Sequence, residues 1–163
     1  MTDRATPPVI IIGAPRSGTN LLRDLLCQAP GFGTWPCDEI NLLWRHGNTL
    51  HPDDALPREA ASPRVARYLQ RRFADVARAT GARTVVEKTC ANSLRVAFVD
   101  RIFPEARYLF ILRDGRDAAA SAVERFTAPF DWRYTLRKLR FVPVADLPVY
   151  AVQFAVNRAT RLL

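Results

Sequence analysis

The chain has 163 residues, the length of one domain, and its apolar content of 48% excludes disorder along the whole sequence. Its formal net charge of +8 favours an acidic ligand or an acidic surface. Three widely spaced cysteines without a Cys-x-x-Cys pair argue against a disulfide framework or a structural zinc site, and favour a reducing compartment. No segment approaches the about 18 consecutive apolar residues that cross a bilayer, and no signal peptide is recognisable, so we expect a cytoplasmic chain outside the membrane.

The first half of the chain alternates strand and helix patterns. Residues 9–12 are a β-branched apolar run followed directly by glycine, which is typical of a buried parallel strand. Leucines mark a helical face within residues 17–29, and the glycines, proline and polar residues of 31–41 predict a loop. A second helix is predicted to begin after Ser62, a good N-cap, and to end at Gly81.

The second half continues this alternation. Residues 84–86 predict a second buried strand, and apolar residues at helical spacing between 94 and 102 predict a helix. The clearest strand in the sequence is Tyr108 to Leu112, and the alanine-rich segment 117–126 should be helical. Residues 147–163 are a further helix candidate.

Strands that alternate with helices predict parallel pairing through right-handed crossovers. The expected fold is therefore α/β, with a parallel sheet flanked by helices in three layers. We expect a single domain over residues 1–163, with a motif-bearing core at 9–126 and a helical extension at 127–163.

The first chemical motif joins the first strand to the first helix. Gly13 and Gly18 have the Gly-x4-Gly spacing of a nucleotide-binding P-loop, a position where backbone N–H groups and a helix N-terminus face a bound anion. Thr19 and Asn20 stand where an ATPase has Lys and Ser/Thr, and the cation is moved forward to Arg16. The hydroxyl that usually binds Mg²⁺ is thus missing. A phosphosulfate, whose sulfuryl group carries one charge, could be held there without metal.

The segment 15–22, Pro-Arg-Ser-Gly-Thr-Asn-Leu-Leu, resembles the 5′-phosphosulfate-binding loop of sulfotransferases that use 3′-phosphoadenosine 5′-phosphosulfate (PAPS). The resemblance is closest to the branch of the protein-tyrosine sulfotransferases and their bacterial relatives, where a threonine usually stands in place of Asn20. It implies a P-loop NTPase-like sulfotransferase fold, a PAPS donor and no required metal. The implied donor-binding residues of this loop are Arg16, Ser17, Gly18, Thr19 and Asn20.

The second motif follows the clearest strand. Arg113 lies at the carboxyl end of that strand, where open parallel sheets bind ligands, and Ser121 follows eight residues later in the next helix. A guanidinium group is a planar fork suited to phosphate oxygens. This spacing resembles the 3′-phosphate site of the same family, which implies that both residues bind the donor.

The candidate catalytic residues are those that the family resemblance implies. Glu39 resembles the catalytic glutamate of tyrosine sulfotransferases, with Asp38 as the alternative base. Lys88 resembles the family lysine that stabilises the leaving group, and Arg16 would share that role. Glu87 either orients the lysine or accepts a proton itself; the sequence leaves this open.

The main hypothesis is an enzyme that transfers a sulfuryl group from PAPS to a hydroxyl acceptor and releases 3′,5′-adenosine diphosphate (PAP). The acceptor is a small molecule, a glycan or a peptide. Phe32, Trp35, Trp44 and Phe130 belong either to its pocket or to the core. No nucleic-acid-binding module is recognisable.

Two alternatives remain. Members of this family usually continue well past the equivalent of Leu163, so we expect the fold to be incomplete at its C-terminus. A non-catalytic or inactive nucleotide-binding domain is therefore the first alternative. An exposed sheet edge at that point would favour a homo-oligomer. A P-loop kinase-like phosphotransferase is the second alternative, and the missing Gly-Lys-Ser/Thr motif argues against it.

Overall fold

The computed structural model describes residues 6–126 and 143–152. Four strands form one sheet in the order β2-β3-β1-β4, and every pair is parallel. The strands are β1 (Val9–Gly13), β2 (Phe32–Gly33), β3 (Thr84–Lys88) and β4 (Arg107–Ile111). The α-helices are α1 (Thr19–Leu26), α2 (Asn41–Trp44), α3 (Pro63–Thr80), α4 (Val96–Ile102) and α5 (Gly115–Phe126). Short 3₁₀ turns occupy Arg58–Ala60, Cys90–Leu94 and Val144–Asp146, and residues 147–152 are helical.

Side chains of β1 alternate between two apolar clusters, one on each face of the sheet. Ile10 and Ile12 belong to the larger cluster, which contains the buried residues of α2, α3 and α4. Val9 and Ile11 belong to the smaller cluster, against which Leu22 of α1 packs. Because both faces are covered by helices, the predicted three-layer α/β class is confirmed.

The longest helix has the ends that its sequence predicts. The Ser62 hydroxyl accepts a hydrogen bond from the Val65 N–H at 3.4 Å, which caps the N-terminus of α3. Gly81 ends the helix with a left-handed φ of 68°. Leu69 and Phe73 are buried on the face that meets the sheet.

The predicted loop at 31–41 is wrong in one part. Phe32 and Gly33 form β2, which pairs with Thr84 and Val85 of β3. A two-residue strand has no periodicity of its own, so only its pairing across the sheet reveals it. The leucine face of α1 is also only partly correct, because Leu21 is largely exposed.

Of the aromatic residues considered for the acceptor pocket, the two tryptophans belong to the core. Trp35 and Trp44 are buried, and each packs edge-to-face against Phe73. Phe32 is partly buried against the smaller cluster. Phe130 lies outside the described residues.

The strand β4 forms as predicted but stands at the edge of the described sheet. Phe110 is 64% exposed, and Leu109 and Leu112 are exposed as well. Within 6–126 and 143–152, none of the helices combines the length and apolar character that a membrane span needs. Of the predicted helix at 147–163, residues 147–152 are helical and the rest falls outside the described residues.

Gly13 offers a test of how closely the first loop packs. A Cβ at this position would meet the Thr19 Cγ2 atom at 2.9 Å and the Ile111 carbonyl oxygen at 3.2 Å. We expect Gly13→Ala to lower the free energy of unfolding by about 1–3 kcal/mol, measured by urea denaturation. Gly115→Ala is the matched control, because a Cβ there meets nothing within 4 Å. Equal stability of the two variants would contradict the close packing.

Candidate active site

A pocket of about 360 Å³ lies at the carboxyl edge of the sheet. The ends of β1, β3 and β4 meet there, since Ile11 pairs with Lys88 and Gly13 pairs with Ile111. Its volume is within the range of small-ligand sites. The lining residues lie at or after the ends of these strands, in the first turn of α1, in the loop before α2 and in α5: Pro15, Arg16, Gly18, Thr19, Asn20, Asp38, Glu39, Lys88, Cys90, Arg113 and Ser121.

The loop between β1 and α1 turns through two left-handed residues. Arg16 has φ 68° and Gly18 has φ 89°, after which α1 begins at Thr19. The Ser17 N–H closes the turn by donating to the Ala14 carbonyl at 3.3 Å. The unpaired N–H groups of a first helical turn point back toward the loop, so the N-terminus of α1 faces the pocket with a partial positive charge.

Direct hydrogen bonds join the two predicted anion-binding loops. Arg16 donates from Nε to the Ser121 hydroxyl at 2.9 Å, and Arg113 donates from Nη1 to the Arg16 carbonyl at 2.7 Å. Within the described residues, neither guanidinium has a carboxylate within 4.0 Å. Two cations thus share one wall of the pocket and remain available for an anionic ligand.

The opposite wall carries an ion pair. Lys88 Nζ donates to Glu39 Oε1 at 2.9 Å, and their side chains are 3% and 26% exposed. The Cys90 N–H donates to the same carboxylate oxygen at 3.4 Å. Glu39 is therefore held against the end of β3, next to the most buried cation of the pocket.

Burial alone would raise the pKa of Glu39, but it is outweighed. Hydrogen bonds from Cys90 and Lys88, together with the lysine charge, hold the pKa below its ordinary value of 4.5. The carboxylate is thus ionised at neutral pH and can accept a proton. Burial also raises the pKa of the Cys90 thiol to about 11, and Glu39 adds to this shift, so the thiol stays protonated.

Two buried groups hold the loop that carries Glu39. From α1, Arg23 donates to the carbonyls of Cys37 and Asp38 at 3.4 and 3.2 Å. From the end of β3, the Thr89 hydroxyl accepts the Ile40 N–H at 3.2 Å. The loop is therefore tied on both sides of the glutamate.

The alternative bases lie in different surroundings. Asp38 lines the pocket, and its carboxylate lies 3.8 Å from Arg23. Glu87 is 1% exposed and does not line the pocket, because its oxygens accept from Thr89 at 2.6 Å and from Asn92 at 2.8 Å. Of these carboxylates, Glu39 has both pocket access and a lysine partner.

The structure brings together eight of the nine residues that the sequence singles out. Arg16, Gly18, Thr19, Asn20, Glu39, Lys88, Arg113 and Ser121 all line the pocket. Ser17 does not; its backbone serves the turn. Sequence reasoning missed the buried Thr89, Asn92 and Arg95 beneath the pocket. The available signal is that polar residues recur in segment 89–95, directly after β3.

No group of three or more His, Cys, Asp or Glu side chains within residues 6–126 and 143–152 is arranged to hold a metal ion. The cations that line the pocket are Arg16, Lys88 and Arg113, and they face two carboxylates, Asp38 and Glu39. The arrangement can hold anionic groups of a ligand with fixed side chains and backbone N–H groups.

Sequence comparison identifies the family of the chain. The family model described as "Sulfotransferase family" matches residues 7–159, and the chain belongs to this family. It is also 32% identical over 133 residues to nodulation protein NoeE of Sinorhizobium fredii. That match covers 74% of this chain and 32% of NoeE, so the chain spans about a third of that relative's length. The predicted family and its α/β fold are thus confirmed.

Proposed function

We propose that this chain binds PAPS in the pocket at the carboxyl edge of the sheet and transfers its sulfuryl group to a hydroxyl acceptor. One observation carries the proposal. Three cations and a carboxylate from four separate segments converge on one pocket that begins at a helix N-terminus: Arg16, Lys88, Arg113 and Glu39. This combination fits a ligand with two anionic groups and a nearby acceptor proton.

The donor is bound through its two ends. The loop of residues 15–20 and the N-terminus of α1 receive the 5′-phosphosulfate, with Arg16 beside it. Arg113 and Ser121 receive the 3′-phosphate. The hydrogen bonds that already connect Arg16 to Ser121 and to Arg113 keep these two subsites at a fixed separation.

The chemistry follows from the ion pair. The acceptor oxygen attacks sulfur while the bond from sulfur to the bridging oxygen breaks, and PAP leaves. Glu39 accepts the acceptor proton, and Lys88 stabilises the charge that develops on the bridging oxygen. When Lys88 turns toward the bound donor, Glu39 keeps the Cys90 hydrogen bond but loses the lysine, one of the two partners that lower its pKa, and becomes a stronger base.

Calorimetric titration of the intact chain tests the proposal. We expect PAP to bind without added metal and more tightly than ATP with Mg²⁺, and PAPS to be turned over with an acceptor found by screening phenols, sugars and tyrosyl peptides. Binding without turnover would favour the non-catalytic alternative. Absence of PAP binding by the folded chain, or equal preference for ATP with Mg²⁺, would overturn the proposed donor.

Glu39→Gln tests the base. Because the pKa of Glu39 lies below 4.5 in the free protein, its ionisation limits kcat/KM only in acid, and the activity lost by protonation lies below that pH. We expect Glu39→Gln to lower kcat about 10²- to 10⁴-fold at neutral pH. Its PAP affinity should change little.

The pH dependence of folding stability also reports the ionisation of Glu39. A lowered pKa means that Glu39 contributes stability above pH 4.5, and that this contribution is lost as the pH falls through its folded pKa.

Asp38→Asn is the matched control for the kinetics of Glu39→Gln. A larger kcat loss in that variant than in Glu39→Gln would move the role of base to Asp38.

A further inference from the structure

A chain of buried hydrogen bonds lies beneath the ion pair, outside the pocket. The Ile40 N–H donates to the Thr89 hydroxyl at 3.2 Å, and that hydroxyl donates to Glu87 Oε1 at 2.6 Å. Ile40 directly follows Glu39 in the sequence. Since the glutamate that pairs with Lys88 stands one residue from this anchor, the backbone of Glu39 is tied to Glu87 through a single hydroxyl.

A second series of hydrogen bonds reaches the other carboxylate oxygen of Glu87. Arg95 donates from Nε to Asn92 Oδ1 at 2.9 Å, and Asn92 donates from Nδ2 to Glu87 Oε2 at 2.8 Å. Arg95 also donates from Nη2 to Asn41 Oδ1 at 2.6 Å, so this chain returns to the start of α2. The segment that carries Glu39 is thereby fixed from both directions.

Glu87 orders the donors in both series of hydrogen bonds. Its two oxygens each accept one hydrogen bond, from Thr89 and from Asn92, whereas a protonated carboxyl group would present one oxygen as a donor. Thr89, Asn92 and Arg95 are at most 1% exposed, so water cannot replace a lost acceptor. A proton on Glu87 would oppose either the Thr89 hydroxyl or the Asn92 amide.

We propose that Glu87 is a positioning residue that places Glu39 opposite Lys88, acting through the Thr89 hydroxyl on the Ile40 amide. The inference rests on the proposed function, in which Glu39 is the base. It predicts that loss of the Glu87 acceptor lowers turnover without weakening donor binding, because the network lies apart from Arg16 and Arg113.

The pH dependence of turnover distinguishes this role. The charged groups that face Glu87 are Arg95 and the neighbouring Lys88, and its strand neighbour Ile10 is apolar. Burial raises the pKa of Glu87 to about 7, although the hydrogen bonds from Thr89 and Trp44 and the charges of Arg95 and Lys88 all lower it. Protonation below about pH 7 should therefore loosen the network and lower kcat, and Glu87→Gln should remove this limb of the profile, while a limb that belongs to Glu39 would stay.

Protonation of Glu87 should affect folding stability in the opposite direction to kcat. Since the folded pKa of Glu87 is raised from 4.5, its contribution to stability is present below pH 4.5 and lost as the pH rises through about 7. At pH 8 the buried charge is unfavourable for folding. Glu87→Gln should thus keep its thermal stability at pH 8 while losing kcat, a combination that a merely structural role does not give.

The experiment compares Glu87→Gln, Thr89→Val and the conservative Thr89→Ser, with Glu105→Gln as the exposed control of the same substitution. Amide hydrogen exchange at Ile40, followed by NMR, reports the anchor without any need for turnover. We expect exchange at least about tenfold faster in Thr89→Val and intermediate in Glu87→Gln, with wild-type protection in Thr89→Ser and Glu105→Gln. PAP affinity should be the same in all of them.

Turnover should follow the same order. We expect kcat to fall about 10- to 100-fold in Glu87→Gln and Thr89→Val, with full rescue by Thr89→Ser, and the kcat limb near pH 7 to vanish in Glu87→Gln. Unchanged Ile40 exchange in both variants, or a wild-type pH profile in Glu87→Gln, would overturn the inference. A wild-type chain without transfer activity would instead contradict the proposed function, while the exchange data would still decide the anchor.

Discussion

Lys88→Ala is expected to lower kcat for sulfuryl transfer about 10²- to 10³-fold. Lys88 is 3% exposed and lies at the end of β3, where a compact charge acts in a weakly screened environment. The charge on the bridging oxygen develops only as the bond to sulfur breaks. Loss of Lys88 should therefore appear mainly in kcat. Steady-state kinetics with PAPS and the screened acceptor measure the effect on turnover, and calorimetry with PAP measures the effect on nucleotide binding.

The substitution has its own controls. Lys88→Arg keeps the charge but spreads it over a planar group, so we expect only partial recovery of kcat. Lys88→Ala also leaves Glu39 without its cation, so a thermal melt should accompany the kinetics. Arg67→Ala removes an exposed positive charge outside the pocket and should leave kcat unchanged. A kcat near the wild-type value in a folded Lys88→Ala protein would exclude the lysine from the chemistry.

Arg113→Ala is expected to raise the Kd for PAP about 10- to 100-fold, the equivalent of one or two charge-assisted hydrogen bonds. The side chain also donates to the Arg16 carbonyl at 2.7 Å, so its removal loosens the neighbouring loop as well as the phosphate subsite. Calorimetry with PAP and with adenosine 5′-phosphate measures the effect. The loss should be largest for the ligand that carries the 3′-phosphate.

Arg116→Ala is the matched control for Arg113→Ala. Arg116 is exposed, lies three residues further on in the first turn of α5, and does not line the pocket. We expect its removal to change the Kd by less than about threefold at physiological salt, where exposed charges are screened. Equal effects of the two substitutions would show that PAP responds to general positive charge and would contradict a specific 3′-phosphate subsite.

Local chemistry explains the parts of the fold that the sequence predicted. Gly13 and Gly18 bracket a turn between a β-branched run and a helix, and the Ser62 cap and the Gly81 terminator bound the longest helix. These signals act over a few residues, so they can be read without knowing the fold. The same is true of Arg113, whose place follows from the end of an obvious strand.

The candidate site could be predicted as separate motifs and not as one pocket. Arg16 and Ser121 are 105 residues apart in sequence, yet their side chains are hydrogen-bonded. Glu39 and Lys88 are 49 residues apart and form an ion pair. No local pattern encodes these distances, because they depend on the strand order.

The sequence by itself determined the alternation of strands and helices, the family resemblance and the identity of the charged residues in the loops. Only the tertiary structure decided that Glu87 faces the interior while its neighbour Lys88 faces the pocket. It also decided that Phe32 and Gly33 join the sheet. The physical reason is that successive residues of a strand point to opposite faces, and what lies on each face is set by elements distant in the chain.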